Sequence, residues 1–265
     1  MNGHYTTRPV ERVGPGGREP TTDRVAAEAP MEIRIGPTPI AVLMRTPGSD
    51  LDLVRGFALT EGIVIHPHEL QAATRIGDAA DDARYVLEFA PGVEVDPDRF
   101  KRNLYATSSC GVCGKASIDA VRIAAATPPP GPRIDGAALA GFAAAMRAAQ
   151  AGFAATGGLH AAALFRPDGT LVALREDIGR HNAVDKVVGA VAGWVWPIAD
   201  HVLLVSGRVS FEIVQKAAVA GIPIVAGISA ASSLAIDLAT ELGMTVVGFV
   251  RDGSFNVYSG ADRIA

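Results

Sequence analysis

Four prolines in six residues, Thr127-Pro128-Pro129-Pro130-Gly131-Pro132, divide the chain. Proline's ring excludes a regular helix there and favours extended backbone. The residues that follow keep one rhythm to the end. Asp135 stands as N-cap before a long alanine-rich helix expected to stop at Gly157-Gly158. Strands are expected over Leu159–Phe165 and Leu171–Arg175, around the turn Pro167-Asp168-Gly169-Thr170. Asp177 is expected to cap a helix reaching about Val191. Then come a strand at His201–Val205, a helix at Val209–Ala220, a strand at Ile222–Ala226 and a helix at Ser232–Leu242. Two strands, Thr245–Phe249 and Phe255–Tyr258, close the series around Asp252-Gly253. Helices alternating with short apolar strands predict a mostly parallel sheet covered on both faces.

The half before the prolines reads differently. Met31–Ile35 and Ile40–Arg45 are β-like runs separated by Gly36-Pro37-Thr38-Pro39. A helix starts at Ser49 or Asp50, with Leu51, Val54, Phe57 and Ala58 on its apolar face and Gly62 as a stop. Arg84–Phe89 reads as a strand, and Ala116–Ala126 as a helix. Residues 1–30 mix charges with Pro and Gly and lack an apolar run, which predicts a disordered leader without a signal sequence. The expected organisation is a leader at 1–30, an N-terminal subdomain at 31–126, a Pro-rich linker at 127–133 and an α/β domain at 134–265.

Composition removes several functions. The chain has 265 residues, 49% of them apolar, which is enough for a sizeable core. Net charge is −4 and no basic run appears, so a nucleic-acid footprint is missing. No run of about 18 apolar residues is present, so no membrane helix is expected. The expected location is the cytoplasm.

The only two cysteines are Cys110 and Cys113, in Thr107-Ser108-Ser109-Cys110-Gly111-Val112-Cys113-Gly114-Lys115. A helix N-terminus and the cations Lys101, Arg102 and Lys115 would favour the reactive thiolate. The spacing suits sulfur or acyl transfer through a persulfide, reversible disulfide chemistry, or half of a zinc site. A pair of small buried side chains is the bland alternative. Zinc wants about four ligands, and no second C-x-x-C exists. His160, His181 or a second copy of the pair would have to complete it. The strand pattern before the pair is not that of thioredoxin-like redox proteins.

Three polar turns follow strands. Arg175-Glu176-Asp177-Ile178-Gly179-Arg180-His181-Asn182-Ala183-Val184-Asp185-Lys186 is dense in groups that bind or move protons, unless Asp177 is a cap and the rest a solvated face. Ser206-Gly207-Arg208 leads from a strand into a helix, an arrangement suited to phosphate, though without a Walker motif. Phe249-Val250-Arg251-Asp252-Gly253-Ser254 is either a site or an ordinary Asp-Gly hairpin. Ligands in open α/β sheets bind beyond the carboxyl ends of strands. Arg180, His181, Ser206, Gly207, Arg208, Arg251, Asp252 and Gly253 are therefore expected to line one cleft, with the cysteine loop folding over it and poorly ordered when free. His160-Ala161-Ala162 lacks the glutamate of the zinc deaminase H-x-E motif, and the cysteines precede it rather than follow.

Several of these segments, together with Arg45-Thr46-Pro47-Gly48, Thr60-Glu61-Gly62 and Thr156–Leu164, resemble the FdhD family of formate dehydrogenase accessory sulfurtransferases. The resemblance spans roughly Met31 to Tyr258. It implies a cytidine-deaminase-like mixed sheet with helices on both faces, plus a smaller N-terminal α+β subdomain, usually as a homodimer. It implies that a cysteine desulfurase loads Cys110 with sulfur as a persulfide, with Cys113 beside it. The acceptor would be the bis(molybdopterin guanine dinucleotide) molybdenum cofactor, bound at Phe249, Val250, Arg251, Asp252, Gly253 and Ser254 and then inserted into the formate dehydrogenase catalytic subunit. No permanently bound cofactor or metal is implied. A non-enzymatic chaperone for the cofactor and the apo-dehydrogenase is the alternative.

Overall fold

A computed structural model describes residues 4–77, 83–100, 127–251 and 253–265. Cys110, Cys113, the helix expected at Ala116–Ala126 and Asp252 lie outside the described residues.

The expected disordered leader is instead a two-stranded ribbon. β1 (Tyr5–Gly14) and β2 (Gly17–Ala26) pair antiparallel in continuous register from Tyr5–Ala26 to Gly14–Gly17. Charge content suggested disorder because it offers no core. In the ribbon the same charges face one another across the strands, as in Arg12–Glu19 and Arg18–Glu11. Exposed pairs of this kind add little stability each. The backbone ladder and an anchored base hold the ribbon: Ala27 N donates to His4 O at 2.9 Å, and Ala26 packs against Gly158.

β3 (Ala29–Ile35), β4 (Thr38–Arg45), β5 (Leu70–Ile76) and β6 (Ala83–Phe89) form a sheet in the order β4-β3-β6-β5. β3 and β6 are parallel, and the other neighbours antiparallel. Strand β5 has no counterpart in the sequence reading, because after Leu70 its half-buried positions are only Ala72 and Ala73 and the rest is exposed. Alternation along β3 and β6 turns Met31, Ile33, Tyr85 and Leu87 inward. α1 (Asp50–Thr60) covers that face with Leu53, Val54 and Phe57, while Leu51 points to solvent.

The long helix expected after the prolines is broken at Gln150 into α2 (Gly136–Ala149) and α3 (Ala151–Thr156). The Asp135 carboxylate caps α2 by accepting from Ala137 N at 2.7 Å. The break arises because the Glu176 carboxylate accepts from Gly152 N and Phe153 N, both at 2.7 Å, capping a second helix. Glu176→Ala is expected to cost about 1–2 kcal/mol, read from the denaturation midpoint. Residues 127–133 form neither helix nor strand, and Gly131 lies tight against Pro223.

β7 (His160–Phe165), β8 (Leu171–Asp177), α4 (Arg180–Val191), β9 (Val202–Val205), α5 (Phe211–Val219), β10 (Ile224–Gly227), α6 (Ser233–Glu241), β11 (Thr245–Arg251) and β12 (Ser254–Ser259) complete the chain. The strand order is β12-β11-β10-β9-β7-β8. Only β9–β10 and β10–β11 are parallel, so the sheet is mixed rather than mostly parallel. The physical reason lies in the two hairpins: β7–β8 and β11–β12 reverse through short turns, and β7 lies antiparallel between β8 and β9. Alternate residues of β9 serve opposite cores. Leu203 and Val205 pack with α4, α5 and α6, and Val202 and Leu204 pack with α2. Helices therefore cover both faces. The ends of β8, β9, β10 and β11 and the start of β7 meet at one edge of this sheet.

Candidate functional site

Most of the polar run Arg175–Lys186 is committed to holding the two sheets together. Arg175 Nε donates to Asp52 of α1 at 2.8 Å. Asp177 is not a helix cap. It is fully buried at the end of β8, where its carboxylate accepts from Thr46 N at 3.1 Å, Gly179 N at 2.9 Å and Asn182 Nδ2 at 2.9 Å. The Lys186 ammonium lies 2.7 Å from the same carboxylate and also donates to Thr46 O. Asn182 reaches across to Met44 O at 2.8 Å. Asp185 accepts from Thr60 Oγ1 at 2.7 Å and pairs with Lys216 of α5, which also binds Glu61 at 2.8 Å. A buried carboxylate with this many donors is occupied, so these groups are not free to bind a ligand. Burial pushes the Asp185 carboxyl up to about 6, against the opposing pull of Lys216.

Arg180 is the exception in this run. His181 turns toward Glu212 of α5, with Nε2 3.9 Å from the carboxylate. Arg180, the first residue of α4, turns the other way. Its Nε is buried and has no hydrogen-bond partner among the described residues. A Cβ placed on Gly207 would lie 3.8 Å from Arg180 Cδ and 3.6 Å from the His160 ring, so both side chains converge on the Gly207 backbone.

His160 opens onto a cavity of about 500 Å³ at the sheet edge, a volume typical of ligand sites. Its apolar lining includes Met146, Leu159, Ile228 and Val250. Its polar lining residues are His160, Ser206, Gln150, Arg147 and Arg251. No carboxylate is among the described residues that line it. In a chain of net charge −4, that is a local reversal of sign suited to an anion. Ser206 is fixed because its N donates to Ala161 O and its Oγ accepts from Ala161 N, both at 2.9 Å. Burial, and then the Arg180 guanidinium, hold the His160 imidazole below its usual range, opposed by Asp177.

Of the sequence-based candidates, Ser206, Val250 and Arg251 line this cavity, and Arg180 and Gly207 stand beside it at His160. Arg208 is exposed, and Gly253 and Ser254 are exposed in the hairpin. Phe249 has φ of 56°, a left-handed conformation rare for a bulky residue, at a register shift between β11 and β12. Its N donates to Ser229 O at 3.1 Å, and Arg251 lies over its ring at 5.6 Å. Arg147 lies in the same way over Phe153, at 4.1 Å. Arg147 and Phe153 were not foreseen as site residues, because on the sequence they belong to an alanine-rich helix facing an ordinary core. Among the described residues no group of three or more His, Cys, Asp or Glu could hold a metal ion. No helix among them is long and apolar enough to cross a membrane.

The sequence profile of the FdhD/NarQ family matches residues 26–265. The chain belongs to the FdhD/NarQ family. It is 49% identical over 267 residues to the sulfur carrier protein FdhD of Streptomyces coelicolor, covering 97% of this chain and 95% of that protein. The sulfur carrier protein FdhD of Mycobacterium tuberculosis is 49% identical over 257 residues, covering 91% and 92%. Among solved structures, one from Desulfotalea psychrophila, described as a formate dehydrogenase accessory protein, superposes with a TM-score of 0.76. That match covers 98% of this chain and 99% of the other at 23% identity, which speaks for the fold. The β1–β2 ribbon lies before residue 26, where the FdhD/NarQ match begins, except for its last residue.

Proposed function

We propose that this chain is a sulfur carrier that matures formate dehydrogenase in the cytoplasm, as a homodimer. The observation that carries the reading is the 49% identity, along nearly the whole chain, to proteins named sulfur carrier protein FdhD. Cys110 attacks the outer sulfur of a desulfurase persulfide as a thiolate. The desulfurase thiol leaves, and Cys110 carries the persulfide. The acceptor is the bis(molybdopterin guanine dinucleotide) molybdenum cofactor, a large polyanion. Phe249, Val250, Arg251, Asp252, Gly253 and Ser254, with Arg180, His181, Ser206, Gly207 and Arg208, form its binding region. A cavity lined by Arg147 and Arg251, with no carboxylate among its described lining residues, supports an anionic occupant. The mixed sheet with helices on both faces supports a cytidine-deaminase-like core in which metal ligation has been lost.

Cells carrying Cys110→Ala/Cys113→Ala as the only copy are expected to lose formate dehydrogenase activity. The purified variant should bind cofactor normally and acquire no sulfur from the desulfurase, seen as loss of the 32 Da adduct, about the mass of one sulfur atom, in the intact-mass spectrum. Normal dehydrogenase activity with no adduct would replace the carrier by a cofactor-binding chaperone.

A further inference from the structure

We propose that His160 and Arg180 together form an anion-receiving subsite at the sheet edge, in which an anion that pairs with Arg180 is taken up together with a proton on His160. The inference rests on the reading of this cleft as an anion site, and goes beyond it by assigning His160 and a coupled proton.

The geometry supplies both halves. Arg180 reaches the subsite from the start of α4 with its Nε buried and unpaired among the described residues. A buried guanidinium donor without an acceptor is costly, and an oxyanion with two or three oxygens satisfies it in forked geometry. Asp177, Asn182, Asp185 and Lys186 of the same polar run are spent on internal partners, whereas Arg180 stands beside His160 with its Nε unpaired among the described residues. His160 converges with it on Gly207 and lines the cavity.

The groups facing His160 decide the sign. Arg180 from α4 disfavours the imidazolium, as does burial, and Asp177 from β8 favours it. Arg251 from β11 and Arg147 from α2 line the same cavity and add positive potential. Ser206 after β9 is neutral. Without a ligand, the balance keeps the ring neutral at pH 7. An anion seated on Arg180 cancels the guanidinium's field at the ring. The imidazolium then becomes affordable, and it can donate a hydrogen bond to the anion it joins. The proton comes from solvent, and no bond other than N–H is made.

The test follows His160 by NMR in protein labelled at histidine, with the signal assigned by its loss in His160→Gln. Inorganic pyrophosphate is the probe, and calorimetry measures its binding in parallel. Saturating pyrophosphate is expected to raise the His160 midpoint by about one pH unit, the size usual for a neighbouring charge. Arg180→Gln is expected to raise the midpoint without any ligand and to abolish the response to pyrophosphate. Arg180→Lys, which keeps the charge, should leave the unliganded midpoint low. A purely structural Arg180 would move none of these values. Pyrophosphate that binds without moving His160 overturns the coupling while leaving the cleft an anion site. Absence of pyrophosphate binding overturns the subsite itself. Neither outcome touches the cysteine variants that test sulfur transfer.

Discussion

Gly56→Ala is expected to destabilise the protein by at least about 3 kcal/mol, a loss outside the usual range for a single added methyl group. α1 and α4 cross where Gly56 faces Gly189. A Cβ on Gly56 would fall inside 3 Å of the Asp185 carbonyl, and one on Gly189 inside 3 Å of the Asp52 carbonyl. Both obstacles are backbone, so no rotamer change relieves them. The two helices would have to move apart, and with them the contacts of Asp52 with Arg175 and of Thr60 with Asp185. Those contacts join the four-stranded sheet to the six-stranded one. Gly189→Ala should behave alike. The control is Gly141→Ala on the exposed side of α2, where nothing lies within 4 Å. There alanine is expected to stabilise by about 0.5–1 kcal/mol through helix propensity. Urea denaturation of the three variants checks both signs. Loss of less than about 1 kcal/mol in Gly56→Ala would mean that the helices do not meet this closely.

This crossing shows which features of the fold could be read in advance. The strands at Met31–Ile35 and Arg84–Phe89, and the alternation after Asp135, were legible because each depends on local periodicity. So was the cap at Asp135, whose side chain accepts from the residue two positions on. The function of Gly56 was not legible. Its partner Gly189 is more than a hundred residues away, and a glycine inside a helix looks like a weakness until the opposing backbone is seen. The same distance hid the meaning of Arg175–Lys186. On the sequence that run gathers acids, bases and an amide as a catalytic cluster would. In the fold Arg175 goes to Asp52, Asp177 to Thr46 and Lys186, and Asp185 to Thr60 and Lys216. What remains for a ligand is Arg180, beside His160, which the sequence had offered as a possible zinc ligand and set beside a deaminase motif lacking its glutamate. The cavity lies at the carboxyl ends of strands, where the polar turns had drawn attention, but it takes in only Ser206, Val250 and Arg251 of the residues named from the sequence. Its far wall, Arg147 and Phe153, depended on a helix break that only Glu176 explains.

Lys216→Met is expected to cost about 3–5 kcal/mol, because removing one member of a buried charge cluster strands the others. Lys216 is nearly inaccessible, and its ammonium touches Thr60 Oγ1 at 2.9 Å, Glu61 at 2.8 Å and both Asp185 oxygens at 2.9 and 3.0 Å. Burial pulls the ammonium toward deprotonation, but the two carboxylates outweigh it and hold the proton more tightly than usual. Methionine keeps the length and loses the charge, leaving Asp185 with Thr60 alone in an apolar surround. Lys216→Met/Asp185→Leu should recover most of the loss, since replacing the whole pair by apolar side chains removes the desolvation cost as well. The pH dependence separates the two carboxylates. Asp185 is raised above its unfolded value, to about 6, so the native state holds the extra proton between roughly pH 4 and 6. Its contribution therefore favours folding below that window and is lost as pH rises through it. Asp185→Asn is expected to flatten this slope, whereas Glu61→Gln, at the partly exposed end of the cluster, should leave most of it. A wild-type stability that rises between pH 4 and 6, with the same rise in Asp185→Asn, would remove Asp185 as the titrating group. Lys216 would then be held by fixed charge alone, and the double variant, which removes both buried charges, should still recover most of the loss seen in Lys216→Met.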